Sequence, residues 1–211
     1  MKKIALLDYK IGNVKSISNA LDNLGGNVNL TSNPDEILNA DGVILPGVGA
    51  FSKGMKNLDE CGLTNVIYDY VKTEKPFLGI CLGMQMLLDE SEEFGITKGL
   101  GLIKGKVIKL PVKEDSNDKL PHISWNEVTE PSEGRWKNTI LEHIENKSDC
   151  YFVHTFVASP SDEKDILSVT PYGGVYFCSA VQNKNVYGTQ FHPEKSGTIG
   201  LNILHNFLKL L

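Results

Sequence analysis

No stretch of this 211-residue sequence is long and apolar enough to cross a bilayer as a helix, which excludes a helical membrane span. Lys/Arg clusters are missing and the formal net charge is −5, so a protein that tracks nucleic-acid phosphates is disfavoured. No biased or low-complexity tract occurs, which sets aside disordered and fibrous classes. Metal-finger spacing is absent too. The four cysteines, Cys61, Cys81, Cys150 and Cys178, lie far apart and are expected to be free thiols. The run Met1–Asp8 opens like a secretory leader, but Asp8 interrupts it before an apolar core is complete. A cytoplasmic location is therefore expected.

What is present is an alternation of short apolar runs and amphipathic stripes. Lys3–Leu7, Val28–Leu30, Gly42–Leu45 and Phe77–Ile80 read as buried strands. Val14, Ile17, Leu21 and Leu24 recur at helical spacing, with Asn13 as N-cap and Gly25 as the stop. Pro34 marks a second helix start. Leu63, Val66, Ile67, Tyr70 and Val71 form another stripe, and Leu82–Asp89 is expected to be helical. These are βαβ units, and they imply a parallel sheet with right-handed crossovers. From Gly105 the texture becomes strand-rich: 107–110, 123–128, 151–157, 166–170, 174–182 and 186–191 read as strands. Leu201, Leu204 and Leu208 suggest a closing helix. The expected fold is α/β: a mixed, mostly parallel central sheet with helices on both faces, forming one domain over residues 1–211.

Two segments carry chemistry. Gly79-Ile80-Cys81-Leu82-Gly83 lies between a buried strand and a helix, as the cysteine form of a nucleophile elbow. The glycines are expected to keep side chains from colliding with the nucleophile. The helix N-terminus would favour thiolate, and the Leu82 N–H could bind an oxyanion. Alone, the pattern fits a buried cysteine in a tight turn equally well. The second segment is His192-Pro193-Glu194. Residues two apart in extended chain share a side, and Pro193 favours that geometry, so Glu194 can orient His192. An isolated His-x-Glu is usually a strand-end histidine beside a solvated carboxylate. Nucleophile, base and orienter in one chain change that balance. His154 is either a pocket residue or a satisfied strand histidine.

Pro76–Gln85 and Gly188–Glu194 resemble the two signature strings of class I glutamine amidotransferases. The resemblance implies that Cys81 attacks the glutamine amide, His192 shuttles the proton and Glu194 orients it. It also implies that Gln85, Glu93, His154 and Thr155 contact glutamine, although Glu93 reads equally as a solvated helix-end charge. No metal or organic cofactor is implied.

A narrower likeness covers nearly the whole chain. Asp8-Tyr9-x-x-Gly12-Asn13, Leu45–Phe51, Pro121–Asn126, Tyr151–Thr155 and His192–Ser196 look like the glutaminase subunit of imidazole glycerol phosphate synthase. That likeness implies a second oxyanion donor from Gly47, Val48 and Gly49 through a rotating peptide. It implies a heterodimer with a (β/α)₈-barrel cyclase, docked around Asn13, Trp125, Tyr151 and Lys195, which receives ammonia for histidine biosynthesis. Lys10 and Ser124 depart from the usual pattern, both in segments placed near the partner. Two alternatives remain: a paralogue feeding ammonia to surface-polysaccharide synthesis, and a stand-alone γ-glutamyl amidohydrolase.

Overall fold

The computed structural model describes residues 2–211; Met1, which opens the leader-like run, lies outside the described residues. The chain begins with β1 (Lys3–Leu7), α1 (Val14–Asn23), β2 (Asn27–Thr31), α2 (Pro34–Leu38) and β3 (Gly42–Leu45). Then come α3 (Phe51–Glu60), α4 (Leu63–Lys72), β4 (Phe77–Ile80) and α5 (Leu82–Gln85). Two-residue strands β5 (Glu90–Ser91) and β6 (Thr97–Lys98) precede β7 (Gly105–Lys109), β8 (His122–Val128) and β9 (Ser148–His154). The chain ends with β10 (Phe156–Pro160), β11 (Ile166–Tyr172), β12 (Val175–Asn183), β13 (Val186–Thr189) and α6 (Gly197–Leu210).

The main sheet runs β2-β1-β3-β4-β13-β12-β10-β7-β5-β6, with β11 beside β12. From β2 to β13 every pairing is parallel, and β12, β10 and β11 join antiparallel. The apolar strands are buried on both faces, as parallel strands must be. Ile4, Leu6, Ile44 and Leu78 pack with Ile17 and Leu21 of α1 and Ile203, Leu204 and Phe207 of α6. Ala5, Leu7, Val43 and Phe77 pack on the other face with Phe51, Met55 and Leu58 of α3 and Leu63 and Ile67 of α4. The mixed, mostly parallel sheet with helices on both faces is the expected architecture.

Four expectations need correction. Helix α3 was not foreseen, because Gly54 and a polar majority hide its Phe51, Met55, Leu58 stripe. The helix after Cys81 ends at Gln85 rather than Asp89. The carbonyls of Met86, Leu87 and Leu88 instead accept the N–H groups of Leu100, Leu102, Ile103 and Gly101 from a returning segment. The run 151–157 is not one strand. It leaves the separate β8–β9 hairpin at Thr155 and enters the main sheet as β10. In α6, Leu201 faces outward, and Ile203, Leu204 and Phe207 form the buried face.

Candidate active site

The nucleophile sits where β4 turns into α5. Cys81 has φ 55° and ψ −108°, a left-handed conformation that side chains rarely adopt. Neighbouring backbone enforces it: the Cys81 N–H donates to Thr189 O of β13 at 2.7 Å. A Cβ on Gly79 would stand 2.6 Å from Gly83 O, and one on Gly83 would stand 1.9 Å from Leu45 O. The glycines are therefore required by backbone approach, not by collision with the sulfur as the sequence suggested. With only one turn, α5 is too short for the macrodipole effect invoked for the thiol.

His192 and Glu194 are held at a 3-10 turn after β13. His192 Nδ1–H donates to Glu194 Oε1 at 2.8 Å, and both side chains are essentially inaccessible. The backbone is clamped as well. The His192 N–H donates to Tyr151 O at 3.0 Å. The Ser196 hydroxyl donates to His192 O at 2.7 Å and accepts from the Tyr151 N–H at 3.0 Å. His192 Nε2 is buried without a hydrogen-bond partner, beside the cavity that Cys81 also lines. Burial lowers the imidazole's proton affinity, but the nearby Cys81 sulfur and the Glu194 carboxylate raise it, and the upward effects win.

Cys81 and His192 share a cavity of about 370 Å³ with Val48, Gly49, Leu82, Gln85, Glu93, His154 and Thr155. A larger cavity of about 470 Å³ between β1, β2 and α2 holds no thiol or imidazole, so the chemistry belongs to the smaller one. Hydrogen bonding restricts what each lining residue can offer. Carbonyl oxygens only accept, so Gln85 Nε2 must donate to Phe156 O (2.8 Å), and it also donates to Gln190 Oε1 (3.0 Å). Gln85 therefore presents its Oε1. Glu93 Oε2 accepts the Phe51 N–H at 2.6 Å and so caps α3, which leaves Oε1 for a ligand cation. His154, expected to contact glutamine, lines the same cavity. Its Nδ1–H donates to Phe156 O (3.1 Å), and its Nε2 accepts from His122 Nδ1–H (3.0 Å). Both nitrogens are engaged, and His154 offers only a ring surface. By the same logic His122 Nε2 is an acceptor, so the Asn126 amide group 2.8 Å away must turn its N–H toward it. Burial, with His122 alongside, holds His154 neutral, down to about 3.

The fourth component is the Pro46–Gly49 loop. The Leu82 N–H, a potential oxyanion donor, is occupied by Gly47 O at 3.3 Å. Val48 and Gly49 are exposed, and Gly49 has φ 99° with open space around it. The loop thus points a carbonyl where an oxyanion would need a donor.

On the outward face of the β8–β9 hairpin, Trp125 lies opposite Tyr151, their rings 5.9 Å apart. Lys195 Nζ stands 5.8 Å from the Tyr151 ring centre. Trp125 is 52% exposed, so it is no core aromatic. Asn13 precedes α1 without capping it through its side chain, and α1 packs on the Pro193–Lys195 turn. Sequence reasoning missed Gln190, Ser196, His122 and Asn126 as parts of this framework. All four lie within the motif strings quoted above, and Gln190 carried a further signal as a polar residue at the apolar end of β13's run.

The family model for class I glutamine amidotransferases matches residues 5–211. The chain belongs to this family. It is similar to "Imidazole glycerol phosphate synthase subunit HisH 1" of Legionella pneumophila (strain Lens), 46% identical with all of both chains covered. The subunit HisH of Dehalococcoides mccartyi (strain CBDB1) is 46% identical over 98% of this chain and 97% of its own. That of Methanosarcina barkeri (strain Fusaro) is 45% identical over all of both. Among solved structures, PurLQS from Thermotoga maritima matches with a TM-score of 0.72 at 19% identity, covering 99% of each chain. A solved glutamine amidotransferase matches with a TM-score of 0.71 at 20% identity, covering 98% of this chain and 97% of its own. These two likenesses concern the fold of the class I amidotransferase domain.

Proposed function

We propose that residues 1–211 form one glutaminase domain, the glutaminase subunit of an imidazole glycerol phosphate synthase. It hydrolyses glutamine to glutamate and ammonia and delivers the ammonia to a (β/α)₈-barrel cyclase for histidine biosynthesis. The full-length relatives support this reading and do not favour the polysaccharide or stand-alone alternatives. The observation that carries the chemistry is a strained thiol sharing one cavity with a buried, carboxylate-oriented imidazole. Four unpaired cysteines agree with a cytoplasmic protein.

In this reading Cys81 Sγ attacks the side-chain amide carbon. His192, held protonated by its neighbours, gives its proton to the departing ammonia, leaving a γ-glutamyl thioester. His192 then takes a proton from water, whose oxygen attacks the thioester, and glutamate leaves as the C–S bond breaks. Gln85 Oε1 and Glu93 Oε1 receive the substrate's α-amino group. The developing oxyanion needs the Leu82 N–H, which Gly47 O now occupies. Rotation of the Gly47–Val48 peptide would remove that carbonyl and bring in the Val48 N–H, giving two donors. The partner drives this by docking on Trp125, Tyr151, Lys195 and Asn13. The same hairpin reaches the site directly: Tyr151 O binds the His192 N–H, and Val153 O lies 3.9 Å from Cys81 Sγ.

The test supplies amide-¹⁵N-glutamine to the chain with a barrel cyclase and its substrate. Label is expected in the imidazole product, and glutamate release is expected to depend on the liganded cyclase. Label in free ammonia alone, at the same rate without the cyclase, would contradict the reading.

A further inference from the structure

Tyr9 plays no part in the reaction described above, yet its ring is wholly buried against the Pro46–Gly49 loop. It follows β1 at the sheet's carboxyl edge. Its hydroxyl donates to Pro46 O at 2.5 Å, and a Cβ added to Gly47 would lie 2.7 Å from that hydroxyl. Its own carbonyl is held by Asn57 Nδ2 at 2.9 Å, from a buried side chain of α3. Resting on the glutaminase reading, we propose that Tyr9 is a positioning residue for the oxyanion peptide: its hydroxyl fixes the Pro46–Gly47 peptide as the pivot on which Gly47–Val48 turns.

The geometry requires such a pivot. A peptide unit is rigid and rotates about the line joining its two Cα atoms. Turning Gly47–Val48 leaves the Pro46 carbonyl outside the moving unit, so the Tyr9 bond persists in both orientations. Proline has no N–H, so the carbonyl is the only backbone group by which Pro46 can be anchored. Among the described residues Tyr9 is the one donor to it. Burial, and the Cys81 charge after it, raise the phenol's pKa far above neutrality, so the hydroxyl remains a donor throughout the working range. Without it the loop's fixed end is a buried, unpaired carbonyl, and the Val48 N–H no longer arrives at one position.

Tyr70 supplies an internal control. It too is fully buried, and its hydroxyl donates to a proline carbonyl, Pro76 O, at 3.2 Å, far from Cys81 in the fold. The experiment compares Tyr9→Phe and Tyr70→Phe in the chain bound to its cyclase. It reads kcat and KM for glutamine, melting temperature, and the rate of Cys81 alkylation by iodoacetamide. Alkylation forms no oxyanion, so it reports the thiol alone. Tyr9→Phe is expected to lower kcat about tenfold, because a Val48 N–H that no longer arrives at one position loses part of its hydrogen bond to the oxyanion in the transition state. KM and the alkylation rate should stay within about twofold of wild type. Tyr70→Phe should lose melting temperature without losing kcat. Unchanged kcat in Tyr9→Phe would overturn the proposal, as would an alkylation rate that falls with kcat, or an equal kcat loss in Tyr70→Phe. A wild-type complex that releases no glutamate would instead overturn the glutaminase reading itself.

Discussion

The His192–Glu194 side of the site and the Pro46–Gly49 side differ in how finished they are. On the first, side chains are buried, paired and clamped to β9 through Ser196 and Tyr151. On the second, the loop is exposed at Val48 and Gly49, and Gly47 blocks the Leu82 N–H. In the proposed mechanism the bond-making groups are thus permanently built, whereas charge stabilisation depends on one peptide's orientation. Interactions made only in the transition state raise kcat rather than tighten substrate binding. A site divided this way can hold glutamine while hydrolysing it slowly, until something turns the loop.

The largest expected effect falls on the finished side. Cys81→Ser should fold with a near-normal melting temperature and lose glutamine turnover by about three orders of magnitude or more. Near-wild-type hydrolysis would remove Cys81 from the mechanism. On the unfinished side, Gly47→Ala would place a methyl 2.7 Å from the Tyr9 hydroxyl and 2.9 Å from Leu82 Cβ. With the loop jammed, kcat should fall about 10²-fold, the worth of an oxyanion donor, while iodoacetamide still labels Cys81. Equal loss of labelling and turnover would mean that the two sides are not separable.

A smaller effect tests how the two sides communicate. Trp125→Ala should leave the free chain's melting temperature nearly unchanged, because the indole is half exposed. It should weaken cyclase binding by about 2 kcal/mol. A collapse of stability would make Trp125 a structural residue and leave the docking face unlocated. An effect of similar size concerns the pocket wall. His154 is held neutral, with burial the first cause and His122 the second, while the unfolded chain's histidine takes a proton near pH 6.5. Its contribution to stability is therefore present above about pH 6.5 and lost as pH falls toward about 3. The limiting slope is about 1.4 kcal/mol per pH unit. Denaturant titrations at pH 7 and pH 5 should show that His154→Asn loses less stability over this interval than wild type. Equal losses would show that His154 does not stay neutral.

The finished side was the legible one. Gly79–Gly83 and His192–Glu194 reveal themselves because elbow and orienter demand particular side chains at fixed spacing. The parallel half of the sheet was legible for a similar reason, since strands buried on both faces read as continuous apolar runs. On the unfinished side only the family resemblance pointed to a rotating peptide; the residues alone did not, because a peptide's orientation has no side-chain signature: Pro46–Gly49 reads the same whether Gly47 O faces in or out. The break at Thr155 was hidden by an unbroken strand-like run that changes partners from β8 to β7. Tyr9 stood in a quoted motif, but its bond to Pro46 spans 37 residues and appears only when β1 and β3 lie side by side.

The most direct test of the division measures two rates on one preparation, Cys81 alkylation by iodoacetamide and glutamine turnover, with and without the liganded cyclase. Alkylation should change little, because the thiol and its imidazole are already assembled. Turnover should rise about 10²-fold or more, mainly in kcat, as the oxyanion donor turns in. Full turnover in the isolated chain, or alkylation that rises in step with turnover, would contradict the account.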